Sequence, residues 1–175
     1  MSRLFSCPIP ENINPLNPNG FMFAIARIPE VSYFCQEAPL PGVSLGAATV
    51  PTPFYDYPVP GEKVDYEDLT IEFLVDADMK NYKAIFNWMV GLGFPESNDQ
   101  YIEQLRNMQF NSEASAVLSD ATLSILGPNG SPIQMAQFKD VFPVSLSALR
   151  FTSTSTDVQY LTASATFKYT GYTFI

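Results

Sequence analysis

Hydrophobic and polar positions along this chain alternate mostly with the two-residue period of β-strands. "DLTIEFLV" sets Leu69, Ile71, Phe73 and Val75 against Thr70, Glu72 and Leu74. Near the C-terminus, "VQYLTASATFKYTGYTF" sets Leu161, Ala163, Ala165, Phe167 and Tyr169 against Thr162, Ser164, Thr166, Lys168 and Thr170. "FMFAIARI" (21–28) is apolar on both sides, as in a strand covered on both faces. After a turn at Pro29–Glu30, "VSYFCQEA" (31–38) reads as a second strand. Residues 116–149 read as a strand, a "GPNGSP" turn and a returning strand.

One segment carries the helical period. Tyr82, Ile85, Phe86 and Met89 recur at i, i+3, i+4 and i+7, and Trp88, the single tryptophan, widens the stripe into an expected helix core. Asp78 is the expected N-cap, and Gly91, Gly93 and Pro95 supply the stop. A shorter helix is expected through "NDQYIEQLRN" (98–107). Residues 1–20 read as an irregular Pro/Asn-rich arm with a "NPNG" turn, and residues 21–175 as one domain. The pattern predicts a mostly-β sandwich or barrel with one flanking helix.

Between the second strand and "DLTIEFLV" lie six prolines, at 39, 41, 51, 53, 58 and 60. Proline cannot donate to a sheet ladder and pins φ, which excludes a central strand or a helix here. Leu40, Pro41, Val43, Leu45, Val50, Phe54, Tyr55, Tyr57 and Val59 make the segment too apolar for a disordered linker. Part of it, "FYDYPVPGEKVDYEDL", is expected to form a hairpin closed near Pro60–Gly61. Its aromatics sit among prolines and outside any strand pattern, which points to anchors in contacts between subunits. A small satellite core is the blander alternative.

Composition narrows the function. At 175 residues the chain can bury a sizeable core, yet only 15% of it is charged, while 14% is aromatic. So few charges fit a surface largely covered in an assembly. Nine basic residues, scattered, and a net charge of −9 argue against a general nucleic-acid binder. The N-terminus lacks the apolar core of a signal peptide, and no apolar run reaches the length of a membrane span. Cys7 and Cys35 are expected to be reduced thiols.

Chemistry is sparse. The absence of histidine removes the usual general base and nucleophile activator, and most zinc sites. Asp76 and Asp78 resemble the acidic pair of some metal-dependent transferases, but one carboxylate at a strand end and one capping a helix is the blander and preferred reading. The acidic series Asp56, Glu62, Asp65, Glu67, Asp68, Glu72, Asp76 and Asp78 lacks the order of a calcium loop and reads as a solvated face or as a surface toward DNA or a basic neighbour. The expectation is no catalytic residue, no cofactor and no metal.

The order of these segments resembles the tail tube protein family of contractile-tailed bacteriophages. "YFCQEA" leads into "PLPG", a long loop ends in "PGEKVDYEDLTIEFLVD", and the helix "NYKAIFNWMVGL" follows. Cys35, Leu40, Pro41, Gly61 and Phe86 occupy positions comparable to the family's, with Trp88 one place early. Phe142, Pro143 and the run from Val158 match its aromatic-Pro and long closing strand. The resemblance implies hexameric rings whose inner sheets join around a channel, stacked through long loops inside a virion tail. It also implies assembly in the host cytoplasm, sheath and baseplate proteins as partners, and DNA passing through without specific binding. Glu72, Thr162, Ser164 and Thr166 are then the lumen-lining candidates.

The Phe86-Asn87-Trp88 spacing and the N-terminal arm depart from the family pattern and leave a tube-end protein at the baseplate or neck as an alternative. The tube of a phage-derived injection device or a type VI secretion system is another. A monomeric β-sandwich binding module, gripping a ligand with Tyr55, Tyr57 and Trp88, is the alternative of a different class.

Overall fold

The computed structural model describes residues 15–93, 95, 97, 99, 102, 117–153 and 160–175. In chain order the elements are β1 (Phe21–Ile25), α1 (Pro29–Phe34), β2 (Cys35–Glu37), β3 (Val43–Pro51), β4 (Asp56–Tyr66), β5 (Leu69–Leu74), α2 (Lys80–Gly93), β6 (Ser119–Leu126), β7 (Pro132–Leu146), β8 (Thr162–Lys168) and β9 (Gly171–Phe174). Most of residues 98–107, where the shorter helix is expected, and most of the N-terminal arm lie outside the described residues.

Seven strands form one antiparallel, nearly closed sheet in the order β1-β6-β7-β8-β5-β2, with β9 also on β7. The sheet turns its corner at the middle of β7. Asp140 adopts a left-handed φ of 57°, and the register slips there: Ala121 faces Phe138, whereas Ser119 faces Val141. The chain running antiparallel to β7 breaks at the same level, between β8 and β9. Thr170 locks the two breaks together, its N–H bonding the Lys139 carbonyl at 3.0 Å and its hydroxyl the Asp140 carboxylate at 3.0 Å.

The alternation read from the sequence decides which side is buried. Leu69, Ile71 and Phe73 of β5 face Phe167, Ala165 and Ala163 of β8 in the core. Phe23 and Ile25 of β1, Leu123 of β6, and Ala136, Phe138 and Val141 of β7 complete it. Each Leu, Ile, Val or Phe among them contributes about 1.5–3 kcal/mol by leaving water, and burial of this one face is what fixes the register of the sheet.

Three local expectations are corrected. The segment 29–34 is a helical turn and a half, not a strand: Pro29 stands at its start, Glu30 in its first turn, and Val31 anchors it in the core. The buried stripe of α2 is Asn81, Ile85, Trp88 and Gly91, and Phe86 points outward at 52% exposure. Tyr82 and Met89 flank the stripe, partly buried against the core. Asp78 pairs with Lys80 at 2.9 Å on the surface instead of capping the helix. Asn81 ties the helix start to β5: its amide donates to the Leu74 carbonyl at 2.7 Å, and its oxygen accepts from the Asp76 and Tyr82 N–H groups.

Candidate functional site

Two surfaces carry no role in the fold's own core. The first is the proline-rich segment, which forms a two-stranded ribbon of β3 and β4 off the main sheet. The expected closure at Pro60–Gly61 is corrected: the ribbon turns at Thr52–Tyr55, and Pro60 and Gly61 lie within β4. The Thr52 N–H donates to the Tyr55 carbonyl at 3.2 Å, making these two a bonded pair. Alternation then makes Pro51↔Asp56, Thr49↔Pro58 and Ala47↔Pro60 the unbonded pairs, whose amides point away from the partner strand. All three strand prolines thus occupy positions where an N–H is not needed.

The ribbon is clamped at its base and bare at its tip. Tyr169 and Tyr172 donate their hydroxyls to the carbonyls of Glu67 (2.8 Å) and Pro41 (3.3 Å). The Glu67 N–H bonds the Gly42 carbonyl, and the Gly42 N–H bonds the Glu67 carboxylate at 3.2 Å. Tyr66 packs against both tyrosine rings. Burial, together with its phenolic and carboxylate neighbours, pushes Tyr169 up to about 12. Halfway along, Gly61 approaches Gly46 so closely that a Cβ there would stand 2.5 Å from the Gly46 carbonyl oxygen. Beyond this waist, among the described residues, the aromatics at the tip are left bare: Phe54 is 95% exposed and Tyr55 66%.

Of the residues expected to meet a neighbouring subunit, Leu40, Val43, Leu45, Phe54, Tyr55 and Tyr57 are exposed, and Val59 is half-buried. Pro41 is the exception. It is buried against its own barrel, because its carbonyl belongs to the clamp. Val50 is exposed as well, and Val64 and Tyr66 are exposed hydrophobics of the ribbon that the sequence reading did not single out.

The second surface is the outer, convex face of the sheet. Glu72 stands directly beside Ser164, Thr162 beside Leu74, and the Thr166 hydroxyl lies 3.1 Å from that of Thr70. The four lumen candidates therefore share one face. The same side of the other half of the sheet presents the row Ala24, Thr122, Gln137 and Thr173. Glu37 faces Glu72 from β2, and Lys168, at the edge of the face, pairs with Asp68 at 3.6 Å. A polar, mostly uncharged convex face on an antiparallel sheet is visible only once the rows are assembled across strands.

Among the described residues no group of three or more Cys, Asp or Glu side chains is placed to hold a metal ion, and no helix is long and apolar enough to cross a membrane. Cys35 is a free thiol on β2, and burial pushes it up to about 11.

A family model described as "Phage tail tube protein" matches residues 5–175. The chain belongs to the phage tail tube protein family. Solved structures share the fold across nearly the whole tail tube chain. One is from the anti-feeding prophage baseplate, with a TM-score of 0.59 and 12% identity over 93% of this chain and 96% of that one. Another is the tube-terminating cap of the anti-feeding prophage, with a TM-score of 0.58 and 14% identity over 98% of both chains. A third is from the sheath–tube complex of the extracellular contractile injection system PVC, with a TM-score of 0.57 and 15% identity over 92% of this chain and 91% of that one. At these identities the likeness is one of fold. No curated protein matches the sequence.

Proposed function

We propose that the chain is the repeating subunit of a phage tail tube: six copies close into a ring, the convex Thr/Ser/Gln face lines the channel, and rings stack through the ribbon. The observation that carries this reading is a ribbon clamped to the barrel yet bare beyond its waist, in a chain of the tail tube family. A rigid two-stranded arm loses little entropy on docking, so its exposed aromatics serve best as anchors on sister copies. The fold likeness to a baseplate solved with six-fold symmetry and to a sheath–tube complex supports six-fold rings with sheath and baseplate as partners.

In this reading the protein is a structural component of the virion, assembled in the host cytoplasm, and a passive conduit without catalysis. Phosphates moving along the channel meet hydroxyls, amides and the Glu72 carboxylate, which repel or ignore them; clustered lysine or arginine would exchange with the counterions of DNA and retain it. A second reading, a protein that ends the tube, is favoured by the fold shared with the tube-terminating cap over 98% of both chains.

Negative-stain electron microscopy of the purified chain separates these readings. Rings that stack into tubes are expected; single rings that never stack would indicate the tube-ending role, and monomers at high concentration would overturn both. Phage carrying Ser164→Lys with Thr166→Arg should eject DNA more slowly, and an unchanged rate would remove these residues from the channel wall.

A further inference from the structure

The ribbon leaves the barrel at one end of β5, where Tyr66 and Glu67 lead into Leu69. A second exposed patch is fixed at the opposite end of the same strand. There the Val75 N–H donates to the Leu161 carbonyl at 2.8 Å, the Tyr82 hydroxyl to the Ser147 carbonyl at 3.0 Å, and the Ser147 N–H to the Ser164 carbonyl at 2.8 Å. These bonds hold the two ends of the β7–β8 connection against the C-terminal end of β5 and the start of α2. On them Phe151 is 73% exposed and Tyr160 78%, with Arg150 exposed beside Phe151.

The two poles are complementary in charge. The ribbon pole carries Asp56, Glu62, Asp65, Glu67 and Asp68 against Lys63 and Lys168. The far pole carries Lys80, Lys83 and Arg150 against Asp76 and Asp78 among the described residues. Among the described residues neither Asp56 nor Arg150 has an ion-pair partner. The six residues of β5 separate the base of the ribbon from the far-pole patch by roughly 17 Å, and β3 and β4 form a sheet of their own off the barrel.

We propose that the ribbon tip of one copy, with Phe54, Tyr55 and Asp56, docks on Arg150, Phe151 and Tyr160 of a second copy one ring along the axis. The proposal rests on the repeating-subunit reading and names the acceptor that reading lacks. Tip and acceptor occupy opposite poles, so the contact is head-to-tail and leaves a fresh acceptor after every addition. Paired aromatic anchors supply the holding contact, and the Asp56–Arg150 pair fixes its orientation.

The test is charge reversal in the full chain. Asp56→Arg and Arg150→Asp should each leave rings intact and shorten the mean tube length at least about tenfold, and the two together should restore it. In a Cys7→Ser, Cys35→Ser background, Tyr55→Cys with Phe151→Cys should give a ladder of disulfide-linked chains on mild oxidation. Rings that stack normally without that ladder overturn this acceptor while leaving the ring reading in place. A wild-type chain that makes no rings overturns the ring reading itself, and a ladder decides for the acceptor where the reversals are silent.

Discussion

The guanidinium carbon of Arg27 lies 4.6 Å from the centre of the Trp88 ring, so the segment leaving β1 is stacked on α2. The indole N–H donates to the Val117 carbonyl at 3.1 Å, and the ring packs 6.2 Å from that of Phe167. Burial lowers Arg27 to about 10, so it remains charged at neutral pH and keeps its attraction for the ring. Arg27→Met, which retains the apolar stem, should cost about 1–2 kcal/mol in urea unfolding.

Neighbouring helix positions should respond very differently. Ile85 is fully buried, and Ile85→Ala should cost about 2–5 kcal/mol. Phe86→Ser, at a side chain half in solvent, should cost less than about 0.5–1 kcal/mol in the isolated chain. Parallel urea titrations of the two variants decide the matter. Equal losses would place Phe86 in the core after all.

The hydroxyl clamp makes the ribbon base sensitive to alkali. The folded-state pKa of Tyr169, about 12, lies above the ordinary value of 10.0, so its stabilisation is complete below pH 10 and drains away as pH climbs toward 12. Tyr169→Phe removes the bond to Glu67 at about 1 kcal/mol, and hydrogen exchange at the Glu67 amide should quicken while β5 stays protected. The variant should also lose the alkaline sensitivity of this region.

Gly61→Ala should strain the ribbon waist, because the new methyl group meets the Gly46 backbone at 2.5 Å. The strands must part there at a cost of about 1–3 kcal/mol. Since the ribbon projects from the barrel, the effect belongs in hydrogen exchange of residues 43–66, with the main transition nearly unmoved.

Cys35 should alkylate slowly. With its pKa raised from 9.0 to about 11, the thiolate fraction at pH 8 is about 100-fold lower than for an ordinary thiol. Iodoacetamide kinetics in a Cys7→Ser background should keep accelerating well past pH 9, and a plateau near pH 9 would contradict the burial of this thiol.

Some of this was legible in the residues and some was not. β5 and β8 could be read directly, because one face is buried and alternation is then obligatory. The segment 29–34 misleads because Val31, Tyr33 and Phe34 favour strands by composition; Pro29 followed by Glu30 was the helix-start signal that the pattern outweighed. Phe86 fits an i, i+4 stripe with Tyr82, but the true face is turned toward Asn81 and Trp88 by the Asn81 bonds to β5. Pro60–Gly61 looks like a turn, and only pairing with β3 shows it to be mid-strand. The convex face and the opposed poles arise from strand order, which no single segment encodes.

Pro58 and Pro60 have a consequence for the free subunit. They strip two successive donors from the outer edge of β4, which interrupts the ladder that a stray extended chain would need to grow along it. A newly made copy in a crowded cell is thereby less prone to edge-to-edge pairing along this strand of its bare hairpin. The same omission favours selective docking, since recognition around Pro58 and Pro60 leans on side-chain shape more than on the backbone that every protein shares.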